Sequence, residues 1–374
     1  MTAGDLGSTG REAASREPAG RPPVGGRLRE FQASRGGPGG GRRERRAGGE
    51  RAMVPRAEFT SYYGRPILKA PVWRHDIAAY LFTGGLAAAS SMIAAGADLT
   101  GRPALRRAGR LTSLAALGAS TYFLINDLGR PERFHHMLRV AKPTSPMSVG
   151  TWILSTFGVA AGVAAVSEAA PLLPRRGVPG LARRVLPPAG RGAGLAAFAL
   201  GPPLATYTAV LLADTAVPSW NRAYPYLPFV FAGSATAAAS GIGLAIAPLE
   251  ETGPVRRLAV AGAALEMAAM HKVEHDMGVV SEPFHLGRAG KQLRAARAFT
   301  VAGAVGALVG ARSRVLSALS GASLVIGSAL TRFGVFEAGK HSAQDPKYVV
   351  VPQRQRIEER GLERVEKVNV PEAD

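Results

Sequence analysis

Residues 126–152 read NDLGRPERFHHMLRVAKPTSPMSVGTW, a segment dense in charge, proline and glycine. An apolar run lies on either side of it, at about 108–127 and 147–169. Each run is long enough to cross a bilayer, since about 20 apolar residues span a hydrocarbon core of about 30 Å. The segment is therefore a connection between membrane helices, where a partner or a ligand at headgroup depth would be met. Working outward, six more apolar blocks appear at roughly 76–98, 192–213, 226–248, 255–273, 295–312 and 315–337.

Eight blocks predict an all-α integral membrane protein with eight transmembrane helices. Two bundles of four are a natural arrangement for them. The competing reading, a soluble alanine-rich helical protein, fits poorly with eight blocks at this spacing. Pro202 and Pro203 lie inside the fourth block and Pro248 closes the fifth. Neighbouring helices in a bundle can satisfy the backbone groups that such prolines free. Small residues crowd the first and fifth blocks, as in GGLAAASSMIAAGA and AGSATAAASGIGLA, and let helix backbones approach closely.

The formal charge is +19. In a soluble chain that surplus would point to nucleic acid. Here much of it is arginine in termini and loops, so no nucleic-acid partner is expected. Residues 1–56 hold twelve Arg and no Lys against six acids, among many Gly, Ala and Pro. Such a segment cannot bury a core and is expected to be a disordered extension. It lacks the apolar stretch of a signal peptide. The composition changes abruptly at Met53, which makes Met53 an alternative start to Met1. The eight-helix domain is expected over 57–339, followed by a polar tail over 340–374.

An even number of spans places both termini on one side. The Arg-rich start and the basic tail argue that this side is the cytoplasmic face of the cell membrane. The loop at 99–110, with Arg102, Arg106, Arg107 and Arg110, opposes that orientation. So does the loop at 171–191, with Arg175, Arg176, Arg183, Arg184 and Arg191.

The chain has no cysteine, which excludes a disulfide, a cysteine-ligated iron–sulfur cluster and a thiolate zinc site. Its histidines are 75, 135, 136, 271, 275, 285 and 341. No facing pair of them lies within the spans, so a bis-His haem is not expected. Electrons, if handled, come from another subunit or a diffusible carrier.

Ionisable groups in or at spans each need a reason. Asp98, Asp127, Glu168 and Asp214 lie at span ends, where a headgroup-level residue or a helix cap is the plain reading. Glu266 lies well inside the sixth block, and a proton or substrate role competes there with simple burial. His75, Asp76 and Tyr80 open the first block. A quinone headgroup has two carbonyls that need donors, and its reduction consumes two protons with two electrons. A His and a Tyr can hydrogen-bond those carbonyls, and a carboxylate can relay protons. His75 and Tyr80 are five positions apart, however, and splay across a wide helix face.

Residues 271–275 read HKVEH, matching the H-x-x-E-H zinc signature. Zinc would need a third ligand, for which Glu282 or His285 is available, and a watery site. A membrane-edge cluster of Lys272, Glu274 and Asp276 is the simpler account. GIG at 241–243 and GRAGKQ at 287–292 lack the rest of a nucleotide-binding pattern.

Residues 126–152 resemble the connection between the second and third spans of the polysulfide reductase membrane-subunit family, called NrfD-like. AAYLFTGGLAAASSMIAAGAD resembles that family's first span, and VPSWNRAYPYLPFVFAGSATAAAS its approach to the fifth. SYYGRPILKAPVW and DPKYVVVPQR resemble a branch often encoded beside formate-dehydrogenase-like subunits. The resemblance covers about 60–350.

It implies a membrane anchor, without a metal centre of its own, for an iron–sulfur subunit and a molybdopterin catalytic subunit. Such an anchor binds menaquinone or ubiquinone and passes electrons between quinone and the iron–sulfur partner. The positions matching the family's quinone contacts are His75, with Asp76, and Tyr207 in ATYTAVLLAD; Tyr80 joins these quinone-binding candidates from its own place one turn into the first block. Asp127, Glu168 and Glu266 are the candidates for a proton route. Arg130, Arg133 and Arg139 are the candidates for partner contact. A proton-coupled transporter is the alternative, since interrupted spans and membrane acids suit one.

Overall fold

The computed structural model describes residues 66–368. The expected disordered extension over 1–56, and the choice between Met1 and Met53, lie outside the described residues. Among the described residues, all regular structure is helical. Eight long helices follow the apolar blocks in order. They are α1 His75–Leu99, α2 Pro103–Asn126, α3 Pro146–Val166, α4 Gly177–Ala213, α5 Leu227–Ile246, α6 Gly253–Asp276, α7 Gly287–Val309 and α8 Arg314–Gln344. A further helix, α9, covers Lys347–Val368 in the expected polar tail.

Six of the eight are long and apolar enough to cross a membrane: α1, α3, α4, α5, α7 and α8. The other two, α2 and α6, are of similar length but more charged. The first turns of α2 carry Arg106, Arg107 and Arg110. α6 carries Arg256 and Arg257 near one end and Lys272, Glu274 and Asp276 near the other.

Many large apolar side chains point outward from these helices, including Val159, Val305, Leu308 and Leu319. Exposed apolar side chains in this number, on helices long enough to span a bilayer, suit a lipid surround. The interior is built mostly from small residues. α1 is the central helix, with 78% of its apolar window buried inside the protein. It packs against α2, α4, α5 and α8. α3 packs on α4, α5 on α6 and α8, and α7 on α8.

The interfaces rest on glycine. A Cβ on Gly241 of α5 would overlap the carbonyl of Gly321 on α8, and the reverse holds equally. Gly233 of α5 lies against the Gly262 carbonyl of α6, and Gly109 of α2 against the Ser90 carbonyl of α1. Without a hydrophobic driving force between helices in lipid, such backbone approach is a main source of association.

α4 corrects the reading of 171–191 as a loop, because the chain is already helical from Gly177. Its 37 residues pass through Pro187, Pro188, Pro202 and Pro203 without a break. Its first turns are bound to the short segment that follows α3: Arg183 donates to the carbonyls of Pro171 and Leu173 at 2.6 and 3.0 Å. At 1.5 Å per residue α4 is about 55 Å long, well beyond a hydrocarbon core of about 30 Å.

α8 starts at Ser313, whose hydroxyl accepts from the Leu316 N–H. α3 starts at Ser145 followed by Pro146, a sequence suited to a helix N-terminus. The connection between α2 and α3 holds a 3-10 segment, Pro131–Leu138, in which no residue is buried.

Candidate functional site

His75 and Asp76 form the first turn of α1 and look in different directions. His75 faces α8, with its Nε2 2.6 Å from Oε1 of Glu337. Its ring lies against Phe333 and Phe336, at centroid distances of 6.4 and 6.3 Å. Asp76 faces α2 and accepts from the Asn126 side-chain amide at 3.1 Å. One residue earlier, the Arg74 backbone N–H donates to Asp127 at 2.9 Å. The start of α1 is thus tied to α2 on one side and to α8 on the other.

A cavity of about 70 Å³ opens at the same end of the molecule. Its walls include Trp73, Tyr80, Asp127, Met137, Thr151 and Tyr207. Three of the residues singled out from the sequence, Tyr80, Asp127 and Tyr207, therefore meet at one place. His75 and Asp76 are not among its walls, in keeping with the five-residue splay from His75 to Tyr80. Tyr207 reaches the cavity across Gly150 of α3, where any Cβ would overlap the tyrosine ring.

Met137 and Leu128 of the α2–α3 connection close the cavity from outside. Arg130, Arg133 and Arg139 of that connection are exposed. Beside the cavity, Trp73 stacks on Trp220 at 5.8 Å, and Trp220 stacks on Phe336 at 5.6 Å. The Trp220 indole N–H donates to the Val335 carbonyl at 2.8 Å. An aromatic bridge thus joins the cavity to the His75–Glu337 pair.

Deeper in the molecule, Glu266 is buried between α6 and α8 and accepts from the Thr331 hydroxyl at 2.6 Å. The next residue, Arg332, is only 1% exposed. Its Nη2 donates to the Phe231 carbonyl at 2.7 Å, and its guanidinium covers the Phe231 ring at 3.8 Å. Oε2 of Glu266 and Nε and Nη1 of Arg332 have no hydrogen-bond partner among the described residues. Ser234 and Ser328 share a hydrogen bond of 2.8 Å between α5 and α8.

Glu168 stands at the opposite end of the molecule from His75. It accepts from Arg106 Nε at 2.8 Å and Arg110 Nη1 at 2.9 Å. Asp127, Glu266 and Glu168 therefore occupy three depths: one end, the middle and the other end.

The HKVEH segment lies at the end of α6, with the His271 and His275 rings 4.2 Å apart. Glu274 is paired with Arg297 at 2.6 Å, and Glu282 with Lys347 at 2.5 Å. Burial, followed by the Glu282 carboxylate, holds the neighbouring Tyr348 hydroxyl up at about 12. No group of three or more His, Cys, Asp or Glu among the described residues is arranged to hold a metal ion.

Sequence reasoning passed over Arg332, Glu337, Trp73 and Trp220. A signal was present for the first two, since TRFGVFEAGKHS sets charge inside and at the end of the eighth apolar block. For the two tryptophans no local pattern announced the stack.

A family model described as Polysulphide reductase, NrfD matches residues 67–286. That range runs from the lead-in to α1 to the end of the turn after α6, and holds the whole of the Tyr80–Asp127–Tyr207 cavity. Arg332 and Glu337 lie beyond it. No curated protein matches the chain.

Proposed function

The chain belongs to the NrfD polysulphide reductase family, and on that premise we propose that it is the quinone-binding membrane anchor of a multi-subunit oxidoreductase. In this reading it passes electrons between the quinone pool and an iron–sulfur subunit, and a molybdopterin subunit carries the substrate chemistry. The observation that carries the reading is the meeting of Tyr80, Asp127 and Tyr207 at one cavity beneath the α2–α3 connection.

The wall chemistry fits a quinone headgroup. The hydroxyls of Tyr80 and Tyr207 are donors for its two carbonyl oxygens, and Trp73, Met147 and Leu211 supply apolar surface. Bound menaquinone or ubiquinone would supply the two-electron, two-proton chemistry. His75 lies half-exposed beside this region with Glu337 against it, so the pair can hold a proton at the membrane surface. Asp76, hydrogen-bonded to Asn126, is a second proton acceptor at the same level.

Arg130, Arg133 and Arg139, exposed on the cavity's outer wall, would meet an acidic surface of the iron–sulfur partner. Asp127, Glu266 and Glu168, at their three depths, are the groups for a proton route across the membrane. The packing of α1 with α2 and α4, and of α8 with α5 and α7, supports two groups of four helices. All eight helices then cross a cell membrane, with both termini on the cytoplasmic side.

The buried Glu266 beside Arg332 favours a second reading, a proton-coupled transporter. Mass spectrometry of what co-purifies with the tagged full chain in mild detergent separates the two. A ferredoxin-like protein together with a molybdopterin protein is the result expected of the anchor. A chain that purifies alone turns the reading to the transporter.

A further inference from the structure

The end of the molecule opposite His75 carries a second built site. Asp98 closes α1, 23 positions after His75, and helical rise puts the two about 34 Å apart. That is close to the thickness of a bilayer core, so Asp98 lies at the level of the opposite headgroups. Four arginines converge there on two carboxylates. Arg106 reaches Asp98 at 3.2 Å and Glu168 at 2.8 Å, and Arg110 reaches them at 3.4 and 2.9 Å. Arg107 lies 3.6 Å from Glu168, and Arg191 of α4 lies 3.6 Å from Asp98.

The cluster therefore carries two more positive charges than negative ones. It is also hollow: Arg106, Arg110, Arg191, Asp98 and Glu168 line a cavity of about 520 Å³, walled on one side by Pro187 and Pro188. Arg110 is held with its side chain only 7% exposed, against Gly190 and Gly194 of α4. Its Nε–H has no hydrogen-bond partner among the described residues. That Nε is sealed off from the cavity, but Arg191 in the cavity wall comes no nearer than 3.6 Å to Asp98 and keeps its donors free among the described residues, an incomplete arrangement that an anion completes.

The geometry points to a phosphate-binding site in this cavity, filled by the headgroup of an anionic phospholipid. The carboxylates hold the guanidinium planes apart, and the surplus charge and the Arg191 donors are left for phosphate oxygens. Arg191, in the cavity wall, and Arg107, which stands outside the wall beside Glu168, are the exposed members. They admit the headgroup and bind its charge. A soluble phosphate would satisfy the same donors, and the two sources are told apart by the acyl chains, which only the lipid contributes.

The test is native mass spectrometry and thermal unfolding of the full-length protein in detergent. Phosphatidylglycerol, phosphatidylcholine and inorganic phosphate are added separately. The wild type is expected to retain one phosphatidylglycerol and to unfold at higher temperature in its presence, with phosphatidylcholine weaker. The double variant Arg107→Gln/Arg191→Gln should bind phosphatidylglycerol roughly tenfold more weakly. Arg312→Gln, at the same end but outside the cavity, should bind it as the wild type does. Stabilisation by inorganic phosphate, with displacement of retained lipid, would support the site and assign it to a soluble anion. If the wild type prefers neither anion over phosphatidylcholine, or the double variant binds undiminished, the site is overturned. The comparison among ligands on the wild type stands even if the double variant does not fold.

Discussion

His75 on α1 and Glu337 on α8, 262 positions apart, meet with Nε2 2.6 Å from Oε1. The contact joins the first long helix to the last at the level of the cavity that Tyr80 and Tyr207 share. A carboxylate against an imidazole fixes the orientation of the ring and gives the pair a path for a proton. Glu337→Gln keeps the shape and removes the charge. Under the proposed anchor function, quinol-linked turnover in membranes should fall roughly a hundredfold, the scale of a lost proton-transfer group, while partner subunits still co-purify. His75→Asn should behave alike. Full rates in both variants would remove the pair from the mechanism.

Gly150 is the floor on which the Tyr207 ring lies. Gly150→Val should drive that ring out of the cavity, with an overpacking cost of about 1–3 kcal/mol in thermal stability. Tyr207→Phe keeps the ring and deletes only the donor. Under the quinone assignment both variants lose quinol turnover, and Gly150→Val also loses affinity for quinone. Wild-type quinone titrations in Gly150→Val would place the quinone elsewhere.

Glu266 and Arg332 are both buried, and neither has all its polar atoms satisfied within the described residues. Arg332→Met leaves the carboxylate without its neighbouring positive charge. The loss should be about 3–5 kcal/mol by detergent unfolding. Adding Glu266→Gln should restore a large part of it, a coupling that a double-mutant cycle reads directly. Strictly additive losses would show that the two do not act as a pair.

Gly241 and Gly321 let α5 and α8 touch through their backbones. Gly321→Val should force those helices apart and lower the unfolding temperature. Gly118→Val, on α2 where nothing lies within reach of a Cβ, should have little effect. Equal stability of the two variants would mean that the close approach contributes nothing.

Much of the helical scaffold was legible in the chain because it is written locally. An apolar block of sufficient length becomes a helix wherever it lies, and all eight blocks did so. The extent of α4 was not legible, because proline and arginine over 171–191 read as loop. Helix there is held by tertiary contacts such as Arg183 on the carbonyls after α3. The candidate site was legible in part. Tyr80 and Asp127 were found as polar groups at or in spans and Tyr207 through the family resemblance, but their meeting was not.

Sequence alone was enough for the helical membrane class, a surface connection within 126–152, which the fold narrows to 127–145, and the lack of cysteine. These depend on composition and on hydrophobic run length, which any single segment carries. Only the tertiary structure decided that His75 turns away from Tyr80 to meet Glu337, that Arg332 lies beside Glu266, and that Glu168 is gathered with arginines at the far end. The reason is physical: a charge inside a membrane protein is tolerated only where another helix supplies its partner. Which helix does so is set by the packing of segments far apart in the chain.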